Sequence, residues 1–102
     1  MATTNIHVTA IDNELYILAA QPTGSYEICH IKSGYDAPVN YAVNPQTILP
    51  SGNYTLIMVG INWGGPQAFK VTVTTDGRDT VYTAPANTAP GANWTQAIQI
   101  TV

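Results

Sequence analysis

Apolar residues along this chain alternate with polar ones at a period of two, and no window of useful length repeats them at helical spacing. Alternation sends successive side chains to opposite sides of an extended backbone, so the chain is committed to half-buried strands. Ile6, Val8 and Ala10 face one way, with His7 and Thr9 opposite. Phe69, Val71 and Val73 likewise oppose Lys70, Thr72 and Thr74. Leu15, Ile17 and Ala19 alternate with Tyr16 and Leu18, the pattern of a strand covered on both faces. Residues 54–61 are the most apolar run and follow a Pro-Ser-Gly turn, which fits a fully buried central strand.

Turn residues divide these runs. Asp76-Gly77 is the strongest hairpin signal, matching a two-residue type I′ turn. Asp12-Asn13 tolerates a tight turn, so the first two strands are expected to pair as a hairpin across residues 11–14. Residues 35–50 hold Pro38, Pro45 and Pro50, each lacking a ladder donor, which predicts an edge strand at 39–43 and a long surface loop. Residues 25–32, 79–83 and 96–102 read as further strands. About eight short strands punctuated by Gly and Pro predict one all-β domain over residues 1–102, an antiparallel β-sandwich. A small closed β-barrel is the alternative.

The chain also repeats itself in part, over residues 35–73 and 82–102. Gly60-Ile61-Asn62-Trp63 leads into Gln67-Ala68-Phe69-Lys70-Val71-Thr72-Val73, and Gly91-Ala92-Asn93-Trp94 leads into Gln96-Ala97-Ile98-Gln99-Ile100-Thr101-Val102. A weaker echo lies upstream of each, in Tyr35-Asp36-Ala37-Pro38-Val39-Asn40 and Tyr82-Thr83-Ala84-Pro85-Ala86-Asn87. The repeat places an Asn-Trp pair at the entry to two similar strands, and it holds both tryptophans of the chain.

Three roles are open to those tryptophans: capping the core, binding a ligand, or filling a subunit interface. Composition favours a neutral ligand. Only 9% of residues are charged, against a usual ~25%, and Thr, Asn, Gln, Ser and Tyr supply the polarity. Three basic residues are too few to neutralise a phosphate backbone or to form a basic membrane-surface helix, so neither nucleic acid nor membrane insertion is expected. A sugar ring offers a C–H face for an aromatic ring and a rim of hydroxyls for amides and carboxylates. The candidate binding residues are Asn62, Trp63, Gln67, Asn93, Trp94 and Gln96, with Tyr35 and Asp36 from the echo loop. Gly64-Gly65-Pro66 has little side chain to bury its neighbour, which favours exposure of Trp63.

Catalysis is not expected. His7 and His30 fall inside strands, Cys29 and His30 are consecutive and so point to opposite faces, and no Gly-x-Ser-x-Gly elbow exists. The carboxylates show no pair in contrasting surroundings, as acid and base roles require. A hydrolase using His7 or His30 with Asp36 is a distant third reading. No cofactor or metal is expected either, because Cys-x-x-Cys, His-x-x-x-His and EF-hand patterns are missing, although calcium on Asp36 or Asp79 would need no linear motif. Cys29, alone in the chain, reads as a small buried apolar residue.

The first residues, Met1-Ala2-Thr3-Thr4-Asn5, lack the charge and apolar core of a secretory leader. Cytoplasmic synthesis is expected, with any release by a non-classical route. Asn53-Tyr54-Thr55 and Asn93-Trp94-Thr95 match the N-glycosylation pattern and are read as coincidence. A net charge of −3 gives weak mutual repulsion, which favours a homo-oligomer. The expected function is therefore a lectin-like protein binding a neutral glycan or glycoconjugate. The alternative is a self-assembling module or toxin subunit whose tryptophans bury at subunit contacts.

Overall fold

A computed structural model describes residues 2–34 and 37–102. Its strands are β1 (Thr3–Ala10), β2 (Asn13–Gln21), β3 (Gly24–Ser33), β4 (Tyr41–Val43), β5 (Asn53–Asn62), β6 (Lys70–Thr75), β7 (Arg78–Thr83) and β8 (Gly91–Thr101). A 3-10 turn, Pro45–Thr47, follows β4. Two antiparallel four-stranded sheets form, one in the order β4-β1-β6-β7 and the other β3-β2-β5-β8. The architecture is a β-sandwich and not a closed barrel.

Alternation sets the core as the sequence requires. Ile6 and Val8 of β1 and Val71 and Val73 of β6 point inward from one sheet. Leu15, Ile17 and Ala19 of β2 and Tyr54, Leu56 and Met58 of β5 meet them from the other. Tyr54 carries its polar end out of this layer by donating a hydrogen bond to the carbonyl of Pro50 at 2.6 Å. Asp76 and Gly77, at φ 52° and 72°, make the positive-φ turn between β6 and β7, with Thr75 opposite Arg78.

Two expectations are corrected. β1 and β2 do not pair: β1 lies between β4 and β6, and β2 lies between β3 and β5. The turn at Ile11 and Asp12 carries the chain from one sheet to the other, and both residues are buried in the corner. A local turn signal cannot distinguish a hairpin from such a corner, because both need the same backbone reversal. The second correction concerns burial. β5 buries one face only; Thr55, Ile57, Val59 and Ile61 stay partly exposed on the other. The same holds for Tyr16, Leu18 and Ala20 of β2.

The sequence repeat is not a structural repeat. Gly60 to Trp63 closes β5 and then crosses to β6 in the opposite sheet, whereas Gly91 to Trp94 opens β8 without leaving its sheet. The two copies run antiparallel side by side, with Gly60 opposite Trp94 and Asn62 opposite Gly91.

Candidate functional site

Strand parity decides which residue of each Asn-Trp pair reaches the surface. On β5, Asn62 shares the inward face of Tyr54, Leu56 and Met58, and it is fully buried. Trp63 follows it out of the strand and is 66% exposed. On β8 the phase is reversed. Trp94 points inward with Ile98 and Ile100, is 5% exposed, and stacks on Phe69 with ring centroids 5.7 Å apart. Trp94 therefore caps the core, as its sequence neighbourhood also allowed, and offers no open face for stacking.

Asn62 organises the loop that carries Trp63. Its amide donates to the carbonyls of Gly65 at 2.8 Å and Ala89 at 3.3 Å, and its Oδ1 accepts from the Gly64 N–H at 3.1 Å. Gln67 is buried and donates to the Pro85 carbonyl at 2.7 Å, tying the same loop to residues 84–90. The Asn93 amide donates to the Ala89 carbonyl. Gln96 sits opposite Met58 on the β5–β8 ladder and is half-buried. Among the described residues of that expected set, only Trp63 combines an exposed ring with a neighbouring concavity. Asn62, Gln67 and Asn93 hold loops in place around it. Tyr35 and Asp36 lie outside the described residues.

The polar partners of Trp63 come from β2 and β3. The backbone N–H of Trp63 donates to Asn13 Oδ1 at 2.7 Å, and its indole N–H donates to Glu14 Oε2 at 2.7 Å. Across the β2–β3 ladder Glu14 faces Lys32 and Tyr16 faces His30. His30 Nε2 lies 2.9 Å from the other Glu14 oxygen, Oε1, with Lys32 Nζ 3.8 Å from that same atom. The His30 ring is itself stacked on Tyr16, centroids 4.0 Å apart and planes within 9°.

Glu14 is consequently buried although it points away from the core. The hydrogen bond from His30 holds its carboxyl below the ordinary glutamate value of 4.5, aided by the Trp63 indole and the Lys32 charge and opposed by desolvation. It is ionised at neutral pH and can only accept, so Nε2 of His30 carries the proton between them. Trp63, Asn13, Glu14, Lys32 and Ser33 line a depression of about 500 Å³. A second depression of about 490 Å³ at the β6–β7 hairpin is lined by Thr75, Asp76, Arg78 and Thr80, with neither an aromatic ring nor a buried polar side chain.

Sequence reasoning missed Asn13, Glu14 and Lys32 as binding residues and named His30 only for the distant hydrolase reading. Glu14 and Lys32 carry no motif, but an acidic residue on the outer row of an otherwise apolar strand is a detectable signal. Among the described residues no group of three or more His, Cys, Asp or Glu side chains is placed to hold a metal ion. No known protein family, curated protein or solved structure matches the chain.

Proposed function

We propose that the protein binds a neutral carbohydrate, with Trp63 as the stacking platform and the adjoining depression as the hydroxyl-recognising pocket. One observation carries this reading. Trp63 is 66% exposed, yet its indole nitrogen and its backbone nitrogen are each fixed by a 2.7 Å hydrogen bond. Exposed indole loses the gain of burial, and fixing it adds an entropy cost that an unused surface side chain need not bear. Rigidity of that kind lowers the ordering cost of ligand binding. A pyranose would lay its C–H face on the ring while its hydroxyls meet Glu14, Asn13, Lys32 and Ser33.

The chemistry of the pocket favours binding over hydrolysis. Glycoside cleavage needs two carboxyl groups flanking the scissile bond. Among the described lining residues Glu14 is the one carboxylate, and both its oxygens already accept hydrogen bonds. The reading gives one site per chain, since Trp94 is occupied in the core.

A glycan array probed with labelled protein, with and without EDTA, tests the reading. Binding should survive EDTA, disappear in Trp63→Ala, and persist in Trp94→Phe. A blank array from folded wild-type protein would sink it, and binding that persists in Trp63→Ala would move the site elsewhere.

A further inference from the structure

The outer faces of the two sheets differ in kind. On the β4-β1-β6-β7 sheet, His7 lies opposite Thr72 and Asn5 opposite Thr74, a polar row suited to water. On the β3-β2-β5-β8 sheet the central strands present Leu18 opposite Ile57 and Tyr16 opposite Val59, with Ile61 beyond and Ala97 beside Ile57 on β8. These side chains are partly exposed or exposed, and every described strand belongs to one of the two sheets, so no strand lies over this face. The sequence of β2 and β5 reads as covered on both faces, and the chain covers only one.

We infer that this outer face is the contact surface for a second copy of the chain, packed sheet on sheet about a two-fold axis. Three arguments favour a second copy over a different partner. The first is symmetry of charge. The outer row of β3 places Glu27 beside Leu18, His30 beside Tyr16 and Lys32 beside Glu14. A two-fold axis crossing the strands near the His30 row brings Glu27 of each copy towards Lys32 of the other. An isologous interface requires this kind of self-complementary patch.

The second argument is the near-neutral centre. With the axis on the row of Tyr16 and Val59, Val59 meets its own copy, Ile57 meets Ile61, and Leu18 covers Glu14, whose charge is already met by His30 and Lys32, whereas a strongly charged partner would find little to pair with. The third is area. Four strands at ~4.8 Å spacing, with a ~27 Å length of facing residues, give about 500 Å² per copy, or about 1,000 Å² in all. That reaches the lower limit of specific interfaces, so the expected dimer is concentration-dependent and not obligate. Aligned sheets packing at about −30° can interdigitate such rows.

Sedimentation equilibrium of wild-type protein between roughly 1 µM and 1 mM tests the inference. The mass should rise from 10.9 kDa toward twice that value. Ile57→Lys, which places two ammonium groups in the contact, should weaken association at least about tenfold. Thr72→Lys, at the centre of the opposite outer face, should leave it unchanged. Should Ile57→Lys fail to fold by circular dichroism, Glu27→Lys, which sets like charges opposite Lys32, should also weaken association. A wild type that stays monomeric at the highest concentration overturns the inference. So does a dimer weakened by Thr72→Lys but indifferent to Ile57→Lys or to Glu27→Lys. Lys32 and Glu14 belong both to this contact and to the pocket, so sugar and a second copy should compete; sedimentation is therefore run without sugar and the array at protein concentrations below dimerisation, which keeps the two failures distinguishable.

Discussion

Glu14 Oε2 accepts the indole N–H of Trp63 at 2.7 Å, joining the start of β2 to the residue that follows β5. Because the carboxyl is held below 4.5, mainly by the His30 hydrogen bond, its ionisation is linked to folding. A lowered folded value means that the stabilisation is fully present above about 4.5 and is lost as pH falls through the folded value. The difference in urea midpoint between wild type and Glu14→Gln should therefore shrink as pH falls below about 4.5. A difference that stays constant down to pH 2.5 would show that Glu14 is not coupled to the fold.

Asn62 contributes through backbone groups of two loops, sharing the Ala89 carbonyl with the Asn93 amide. Asn62→Ala strips the Gly65 and Ala89 carbonyls of that donor and the Gly64 N–H of its acceptor. Removing one partner of a buried hydrogen bond costs about 1–3 kcal/mol, so Asn62→Ala should destabilise by at least that amount. Its second effect should be on Trp63, whose loop loses its tether. Acrylamide quenching of Trp63 fluorescence in a Trp94→Phe background should rise in Asn62→Ala. Unchanged stability and quenching together would remove Asn62 from its positioning role.

How far the sequence revealed this arrangement can be traced to individual residues. Period-two alternation gave the sandwich, the Phe69-Val71-Val73 face and the Asp76-Gly77 hairpin, because each depends on local geometry. The same alternation separates the tryptophans: Trp94 is in phase with Ile98 and Ile100, and Trp63 is out of phase with Leu56 and Met58. Treating residues 54–61 as buried on both faces hid that phase. The Glu14–Trp63–His30 cluster was not legible, since it joins three strands whose pairing no local signal specifies. Placing β1 and β2 in one hairpin put the start of β2 beside the wrong neighbours.

The tryptophans should differ in stability effects. Trp94 is buried against Phe69, and large-to-small replacement of a buried aromatic costs about 3–5 kcal/mol. Trp94→Ala should fall in that range, while Trp63→Ala should cost less, about 1.5–3 kcal/mol, the worth of a hydrogen bond to a charged group. Chemical denaturation of the two variants gives the comparison directly. Equal losses would mean that Trp63 is as much a core residue as Trp94.

Cys29 tests the burial of the edge strand β3. Burial, reinforced by the nearby charge of Glu27, pushes its thiol up to about 11. The thiolate is the reactive form, and an unperturbed thiol titrates near 8.5. At pH 8 the folded protein should thus react with a thiol reagent roughly two orders of magnitude more slowly than the unfolded chain. Fast labelling under native conditions would show β3 opening from the sheet.

Gly60 is set by the ring that lies over it. It faces the core opposite Trp94, and a Cβ there would come within 2.9 Å of Phe69 Cζ. Phe69 cannot yield cheaply, because it is 3% exposed and stacked against Trp94. Overpacking of this kind costs about 1–3 kcal/mol, so Gly60→Ala should destabilise even though alanine suits a strand better than glycine. The partner substitution Phe69→Leu removes the obstructing ring tip. Gly60→Ala made in that background should cost less than in the wild type, by a coupling of about 0.5–3 kcal/mol in a double-mutant cycle. Additive losses would mean that the ring does not exclude the methyl group, and that glycine stands opposite Trp94 for some other reason.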